Sequence, residues 1–400
     1  MNWRQWIGLT PTQADLANDL LRSARQSGQT GWVYDAADSS LRDADRVISL
    51  VNIQREYAQA GYLARPGLLR KYGAMLAPME QSTVPRLWTL AQTQIFPMLR
   101  SRYERTIIEV QYRNKEPFPP RAAKAFSGQL EVVIGYDHGQ TVSQIKVETA
   151  TDWGISIDEL IHRARANLRG LPPPSWESAG DAIWKLDSAA GYTESFLQLP
   201  RTFDNLPAKG QALAMIPNRG VLLATGTDEP GGLAALLNAA LHSIRNAPWP
   251  LSGDLFRVTP TGSELYIPDT PEAEGLATIQ KIDMAGIYEG QQTALQAHHD
   301  AIKDDVYVAT YSLLVKKDAP NHARSYCTWT KGISSLLPTT DLIAFVWDLE
   351  TTRKTALVTW NNVARIAGHY FKPTTEDPPR IRVDAFPTAD ELVELTKVVV

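Results

Sequence analysis

Two adjacent histidines, His298 and His299, lie in the segment LQAHHDAIKDD with three aspartates, the densest group of potential metal ligands or proton carriers in the chain. Apolar residues recur around them at helical spacing, so the segment is predicted to be a helix. Zinc-binding helices place their histidines four residues apart, whereas adjacent helical residues point about 100° apart. This spacing favours an amphipathic helix with one half-buried histidine. A metal site or an acid–base role for His298, His299 and Asp300 is the alternative.

The aspartates of this segment also favour an amphipathic helix over a metal site. Asp300 and Asp304 would share one face of the helix, but Lys303 and Asp305 beside them are typical of a solvated surface. Four residues after His298 comes Ile302, and four residues after His299 comes Lys303. Neither side chain is a usual metal ligand. We therefore predict no bound metal and no cofactor.

Cys327 is the single cysteine of the chain, so an internal disulfide is impossible. A nucleophilic cysteine needs a base within hydrogen-bond reach. His322 precedes Cys327 by five residues and Asp341 follows it, but the local sequence NHARSYCTWTKG matches no protease signature. A small, semi-buried structural cysteine is the favoured interpretation. A hydrolase that uses His298 or Cys327 is the alternative.

The segment GTDEPGGL, which precedes a predicted helix over 231–245, has the glycines of a phosphate-binding loop. It lacks the Gly-Lys-Ser/Thr sequence, and Asp228 and Glu229 would repel an anion at that position. These carboxylates instead suit the positive end of a helix dipole. No phosphate site is predicted here.

Arginine side chains crowd the predicted helix SIDELIHRARANLRG. Arg163, Arg165 and Arg169 lie towards its last turns, where cations complement the helix dipole. A solvated face is therefore expected. Binding of an anionic partner to these arginines is the alternative.

Eleven tryptophans are a high number for a chain of this length. Most are expected to belong to the core or to cover it. Trp153, Trp176 and Trp249 are predicted in loops beside glycine or proline. Exposed tryptophan is a common anchor of protein interfaces. We therefore predict that these three, together with the three arginines, contribute to the binding of a protein partner.

The composition limits the class of protein. The chain has 400 residues, of which 44% are hydrophobic and 21% charged, as in ordinary globular proteins. A net charge of −4 and a pI near 6.0 give no electrostatic reason to expect nucleic acid. The N-terminus lacks the pattern of a signal peptide, and no apolar run approaches the length of a spanning helix. These features predict a bacterial cytoplasmic protein that binds neither nucleic acid nor membranes.

The hydrophobic periodicity predicts an α+β protein in three parts. Residues 1–115 favour a mainly helical region, and the proline-rich segment 112–123 is predicted as a linker. Residues 116–268 and 269–400 are predicted to be two mixed α+β units with antiparallel hairpins.

Some local elements are predicted in more detail. Thr10 should cap the first helix, and residues 85–107 should form a further amphipathic segment interrupted by Pro97. The segment LPPPSWESAGD is predicted to be a stiff connector.

Hairpins and capping boxes give the clearest local signals. Turns are predicted at residues 137–139 and 218–220, each within a hairpin. Helices that start after Ser156 and Thr388 should open with capping boxes, because a glutamate follows each cap residue at the third position.

Three segments carry a family resemblance: ISLVNIQREY (48–57), DELIHRARANLRGLP (158–172) and PNRGVLLATG (217–226). With them the chain resembles the bacterial family catalogued as domain of unknown function 1444. The shared order is a segment of the type F-D…L-R, a helix ending in Asn-Leu-Arg-x-Leu-Pro, and a hairpin of the type V-P-x-R-x-x-L-L. The resemblance covers roughly residues 30–265 and leaves out the C-terminal third. The family has no assigned activity, so the resemblance implies no catalytic residue.

These features predict a non-catalytic protein that binds another macromolecule, as an adaptor, an immunity protein or a defence-associated component. Two alternatives stay open. One is the hydrolase of unknown class that uses His298 or Cys327. The other is a small-ligand sensor with a pocket between the two α+β units.

Overall fold

The computed structural model describes most of the chain. The described residues are 11–26, 28–36, 39–43, 46–61, 63–76, 84–114, 119–139, 141–189, 191–316, 319–347 and 354–399.

Helices occur in all three parts of the chain. They are α1 (Gln13–Gln26), α2 (Val51–Gln59), α3 (Arg65–Gly73), α4 (Trp88–Ala91), α5 (Arg102–Tyr112), α6 (Val147–Asp152), α7 (Ile157–Arg169), α8 (Gly232–Asn246), α9 (Glu272–Ile302), α10 (Trp360–Ala367) and α11 (Ala389–Thr396). Short 3-10 helices lie at Ala74–Leu76, Thr193–Gln198, Pro200–Phe203 and Gly368–Tyr370.

The strands lie between these helices. They are β1 (Val33–Asp35), β2 (Ser40–Asp43), β3 (Arg46–Ser49), β4 (Ile95–Ser101), β5 (Ala123–Ala125), β6 (Leu130–Asp137), β7 (Val142–Gln144), β8 (Ser175–Gly180), β9 (Ile183–Asp187), β10 (Ala212–Asn218), β11 (Val221–Gly226), β12 (Leu255–Thr259), β13 (Gly262–Leu265), β14 (Tyr307–Val308), β15 (Ser312–Lys316), β16 (Ala319–Thr330), β17 (Ser335–Pro338), β18 (Leu342–Trp347), β19 (Lys354–Thr359), β20 (Lys372–Pro373) and β21 (Arg380–Val383). Antiparallel pairs predominate and helices pack beside the sheets, so the protein belongs to the α+β class.

The N-terminal region combines helices with a small antiparallel sheet of β1, β2 and β3. Thr10, the predicted cap of the first helix, lies outside the described residues. Thr12 acts at the start of α1 instead: its amide donates to Asp15 Oδ2 at 2.9 Å, and the Asp15 amide donates to Thr12 Oγ1 at 3.2 Å. These two hydrogen bonds cap the described start of α1.

Two segments differ from the sequence-based prediction. Part of the amphipathic segment 85–107 forms strand β4, which pairs with β6 and is buried along its first five residues. Pro97 is tolerated because β4 is an edge strand of its sheet. The predicted connector LPPPSWESAGD contains strand β8, which pairs with β9. In both cases a neighbouring strand supplies the pairing that local periodicity cannot reveal.

The two predicted hairpins and the two predicted capping boxes are confirmed. Strand β6 turns back into β7, and β10 turns back into β11. Ser156 and Glu159 form a capping box at α7. Thr388 and Glu391 form another at α11. These features depend on a few neighbouring residues, which is why the sequence specifies them.

The largest sheet has six strands in the order β13-β12-β10-β11-β9-β8, and its central strands β10 and β11 are buried on both faces. One face packs against β4, β6 and α7 through residues such as Ala214 and Phe256. The other face packs against α8 and the first part of α9 through residues such as Leu213 and Met215. Residues 213–215 therefore alternate between two cores, as the two-residue period of a strand requires.

Helix α9 starts just after the boundary predicted at Pro268 and belongs to the cores of both units. Its residues Leu276 and Ile279 pack with α8 and the six-stranded sheet. Further along, Ala294 and Leu295 pack with α5 and with β14 and β17 of the C-terminal unit. Within the described part of the chain, no helix is both long and apolar enough to cross a bilayer.

A buried carboxyl group holds α9 against the first unit. Asp283 is buried, and its Oδ2 accepts hydrogen bonds from the Gly253 amide at 2.9 Å and from Gln129 Nε2. Burial raises the pKa of Asp283 to about 6, and the negative charge of nearby Asp254 adds to this effect. The folded state therefore binds the proton of Asp283 more tightly than the unfolded state does.

We predict that Asp283→Asn makes the protein more stable relative to wild type as the pH rises from 4.5 to 7.5. A raised folded pKa stabilises the protein below the unfolded pKa, and this contribution is lost as the pH rises through about 6. The asparagine oxygen can still accept both hydrogen bonds without a charge. Between these two pH values the relative gain should be about 2 kcal/mol, because each pKa unit corresponds to about 1.4 kcal/mol and the unfolded carboxyl group is already mostly ionised at pH 4.5. Urea unfolding at both pH values measures it.

The control for this prediction is Asp300→Asn, an exposed position on the same helix. It should follow the wild-type pH profile. A wild-type profile for Asp283→Asn as well would contradict the assignment of the raised pKa to Asp283.

Candidate binding groove

A groove lies between α7 and the short strand β5. Helix α7 starts at its capping box and buries Leu160, Ile161, Ala164 and Leu168 against the sheet. Strand β5 lies on the opposite side of β6 from β4. The outer side of the helix and the end of the sheet therefore enclose a space of about 380 Å³.

The lining of this groove is apolar at its base and cationic at its sides. Phe126, Val132 and Ile161 are its large apolar lining residues. Four basic side chains also line it: Lys124, His162, Arg165 and Arg169. Asp158 is the one carboxylate that lines the groove among the described residues, and it accepts a hydrogen bond from Lys124 Nζ at 2.5 Å. That pair joins β5 to the first turn of α7.

Within the described part of the groove, neither Arg165 nor Arg169 forms an ion pair with a carboxylate, since Asp158 pairs with Lys124. Arg165 Nε donates to the neutral Gln198 Oε1 at 3.2 Å. Burial lowers the pKa of Arg165, and the positive charge of Arg169 lowers it further. Two nearby cations, one of them partly desolvated, raise the electrostatic potential of the groove. A bound anion would relieve that repulsion.

The structure divides the three arginines predicted as interaction residues. Arg165 and Arg169 face the groove, whereas Arg163 donates from Nη2 to Gln92 Oε1 at 2.6 Å, next to α4. Sequence reasoning missed Lys124 and His162. His162 could have been found from its place on the arginine helix, but Lys124 is more than thirty residues away and reaches the groove only through the pairing of β5 with β6.

The three predicted tryptophan anchors are packed against the protein itself. Trp153 is buried, and its Nε1 donates to the carbonyl of Pro85 at 3.1 Å. Trp176 lies in strand β8 rather than in a loop, is half-buried, and donates to the carbonyl of Thr202 at 3.1 Å. Each indole N–H is therefore already used within the chain.

Trp249 also links two parts of the fold. It is half-buried in a loop after α8, and its Nε1 donates to Glu56 of the N-terminal region at 3.2 Å. The guanidinium of Arg219, in the same α+β unit as Trp249, lies 4.9 Å from the centroid of the indole ring. This placement makes Trp249 a contact between the N-terminal region and the first α+β unit.

The histidine pair lies at the end of α9, as predicted. The rings of His298 and His299 lie 5.3 Å apart at an interplanar angle of 72°, so they point in different directions. Burial lowers the pKa of His298, with the charge of Arg113 contributing. Asp300 is exposed, and its Oδ1 accepts a hydrogen bond from Gln296 at 2.9 Å. Within the described residues, no three His, Cys, Asp or Glu side chains group as metal ligands.

The prediction that Asp300 and Asp304 share one face of the helix is wrong. Helix α9 ends at Ile302, and Lys303 takes the left-handed conformation with a φ of 58°. This bend turns Asp304 back towards the helix, where its Oδ2 lies 3.0 Å from His299 Nδ1 and 2.9 Å from Arg382 Nη1. His299 is therefore held in a charged cluster that fixes the end of the helix.

Cys327 is enclosed in the core of the C-terminal unit. Its sulfur accepts a hydrogen bond from Thr340 Oγ1 at 3.5 Å, and burial raises the pKa of the thiol to about 12. His322, one proposed base, lies 2.9 Å from Glu274 at the surface. Asp341, the other, accepts hydrogen bonds from Ser325 and pairs with Lys281. These contacts agree with the structural cysteine favoured by the sequence.

A second cleft, of about 300 Å³, lies where the two α+β units meet. Helix α8 and the first turns of α9 form most of it, and His322 of the C-terminal unit closes one side. This is the place where the predicted small-ligand pocket would lie. Its polar lining includes Glu272, Glu274 and Asn238.

We predict that the thiol of the native protein does not react with a disulfide reagent such as DTNB at pH 7.5. The thiolate is the reactive form, and burial keeps Cys327 protonated and inaccessible. Absorbance should report no reaction in buffer and one thiol per chain in guanidinium chloride. Cys327→Ser provides the blank. Fast reaction of the folded protein would revive the interpretation of Cys327 as a nucleophile.

Comparisons with known proteins give no relative for this chain. No protein-family model, no curated protein and no solved structure matches it. The resemblance to the domain of unknown function 1444 family stays a prediction, and the groove has to be interpreted from its own residues.

Proposed function

We propose that this chain is a non-catalytic binding protein that holds an acidic segment of a protein partner in the groove between α7 and β5. The observation that carries the proposal is the pair Arg165 and Arg169, whose charges face the groove beside Lys124 and His162. An acidic segment would supply the opposite charges. Electrostatic complementarity of this kind accelerates association and selects partners.

The positive charge of the groove contrasts with the negative net charge of the whole chain. The net charge is −4, so the protein surface as a whole has no excess of positive charge that would attract acidic partners. A cationic groove on such a surface directs an acidic segment to one place. Half-buried Phe126 adds an apolar contact for a side chain of the partner at the base of the groove.

The rigidity of the groove also supports binding. Helix α7 is held by its capping box and its buried stripe, and Asn167 donates from Nδ2 to the carbonyls of Gln92 and Ile95 at 2.8 Å each. A site that is already ordered loses little conformational entropy on binding. Helix α7 therefore presents its arginines on a fixed support.

The enzyme alternative has less support. Among the described residues, His298 Nδ1 has no hydrogen-bond partner that would orient the ring as a base, and Cys327 is enclosed with a raised thiol pKa. One observation supports the ligand-sensor alternative: the cleft between the two units. In the bacterial cytoplasm, a binding protein of this type would act as an adaptor, an immunity protein or a defence-associated component.

We predict that selection from a displayed library of random peptides enriches sequences rich in Asp and Glu. Arg169→Glu should weaken binding of the selected peptides roughly tenfold or more, because it replaces an attractive charge with a repulsive one. Arg163→Glu is the matched control, since Arg163 belongs to the same helix but contacts Gln92 away from the groove. It should retain binding.

Circular dichroism on both variants separates binding from folding, since each change also alters the helix dipole by at most about 1 kcal/mol. Enrichment of peptides without acidic residues would contradict the proposal. Equal losses in Arg163→Glu and Arg169→Glu would contradict it as well.

A further inference from the structure

Strand β5 has a free edge beside the groove. In the described part of its sheet the order is β4-β6-β5, and β7 pairs with the end of β6 beyond β5. Strand β5 therefore has β6 on one side and no described strand on the other. Ala125 and Lys124 are exposed there and line the groove. An edge of this kind offers unpaired N–H and C=O groups to an added strand.

The hydrogen bonds around β5 show which of its residues face outward. The Ile134 amide donates to the Ala122 carbonyl at 3.1 Å, and the Phe126 amide donates to the Leu130 carbonyl at 2.9 Å. Hydrogen-bonded pairs alternate along an antiparallel ladder, so Lys124, which lies opposite Val132, also bonds to β6. The main-chain groups of Ala123 and Ala125 therefore point away from β6.

The side-chain direction places the cations beside that edge. Lys124 and its cross-strand neighbour Val132 lie on the face of the sheet that meets α7, and both line the groove. Arg165 and Arg169 line the same space from the helix. A strand added beside β5 would direct every second side chain towards α7, because strand side chains alternate with a period of two.

We propose that the acidic segment binds as an added β-strand along β5, with its carboxylates at alternate positions facing the cations of the groove. This inference rests on the proposed function and specifies how the segment is held. The main-chain groups of Ala123 and Ala125 pair with the backbone of the segment, and Lys124, Arg165 and Arg169 select acidic side chains.

The length of the groove agrees with a short extended segment. Asp158 and Arg169 mark its two ends along α7. Eleven helical steps of 1.5 Å span about 16 Å, which about five extended residues cover at 3.3 Å each. A single-stranded nucleic acid could use the same cations, but it has no alternating N–H and C=O groups to pair with β5. We therefore favour a peptide.

The test uses a fluorescein-labelled heptapeptide of alternating glutamate and valine, measured by fluorescence anisotropy. A second peptide of the same sequence is N-methylated at alternate residues, which removes the N–H groups that would face β5. Ala125→Pro removes the outward amide of the protein. Proline is tolerated on edge strands, so the fold should persist. Leu265→Pro on edge strand β13 is the matched control, because its amide also faces away from its neighbour: the adjacent Tyr266 amide donates to Leu255.

The expected result is binding of the unmodified peptide by the wild-type protein and by Leu265→Pro. Ala125→Pro and N-methylation should each weaken binding at least tenfold, and Arg169→Glu should weaken it as well. Circular dichroism and thermal unfolding check that Ala125→Pro is folded. If that variant unfolds, the N-methylated peptide on the wild-type protein still decides the question.

Three results would overturn the inference. If Arg169→Glu weakens binding while Ala125→Pro and N-methylation do not, the groove binds acidic segments but not as a strand, and the proposed function survives. If no acidic peptide binds the wild-type protein at millimolar concentration, both proposals fail. If a DNA oligonucleotide or millimolar inorganic phosphate displaces the peptide as well as unlabelled peptide does, the groove is a general anion site.

Discussion

The architecture depends on one continuous helix that serves two cores. Helix α9 spans 31 residues, and its first half completes the core of the first α+β unit while its second half completes the core of the C-terminal unit. Arg380 fixes the second half. Its guanidinium is buried and donates to Gln291 Oε1 at 2.7 Å and to main-chain carbonyls of three segments. Burying this charge costs free energy, which those hydrogen bonds offset, so the position of α9 is specific.

The groove depends on a second buried charge, at the start of β5. Arg121 donates from Nε to Glu131 Oε1 at 2.9 Å, and Arg105 lies 3.5 Å from the other oxygen of Glu131. Glu131 is the residue of β6 that lies opposite Ala125. The ion pair therefore anchors the short edge strand where only three residues form the ladder. Since loss of one partner would leave a buried charge unpaired, this contact fixes the edge that we propose as a template.

Most of the side chains considered as catalytic candidates make contacts that stabilise the fold. His299 stabilises the end of α9 through Asp304, Asp341 joins Ser325 to Lys281, and Cys327 fills the C-terminal core. The groove instead uses ordinary surface cations on a rigid helix. Its proposed activity needs no nucleophile, because binding of an acidic strand requires only charge, open backbone groups and a fixed geometry.

The sequence by itself determined the elements whose causes are local. The capping boxes at Ser156 and Thr388, the hairpin turns and the helix around His298 depend on residues within a few positions of one another, so pattern and propensity suffice. The arginine helix, half of the candidate site, was also predicted. Only the tertiary structure decided that β4 is a strand, that Arg163 points away from the groove, and that Lys124 lies beside Arg165. The reason is physical: strand pairing and shared cavities join residues far apart in the chain, and their energies come from neighbours that local periodicity does not contain.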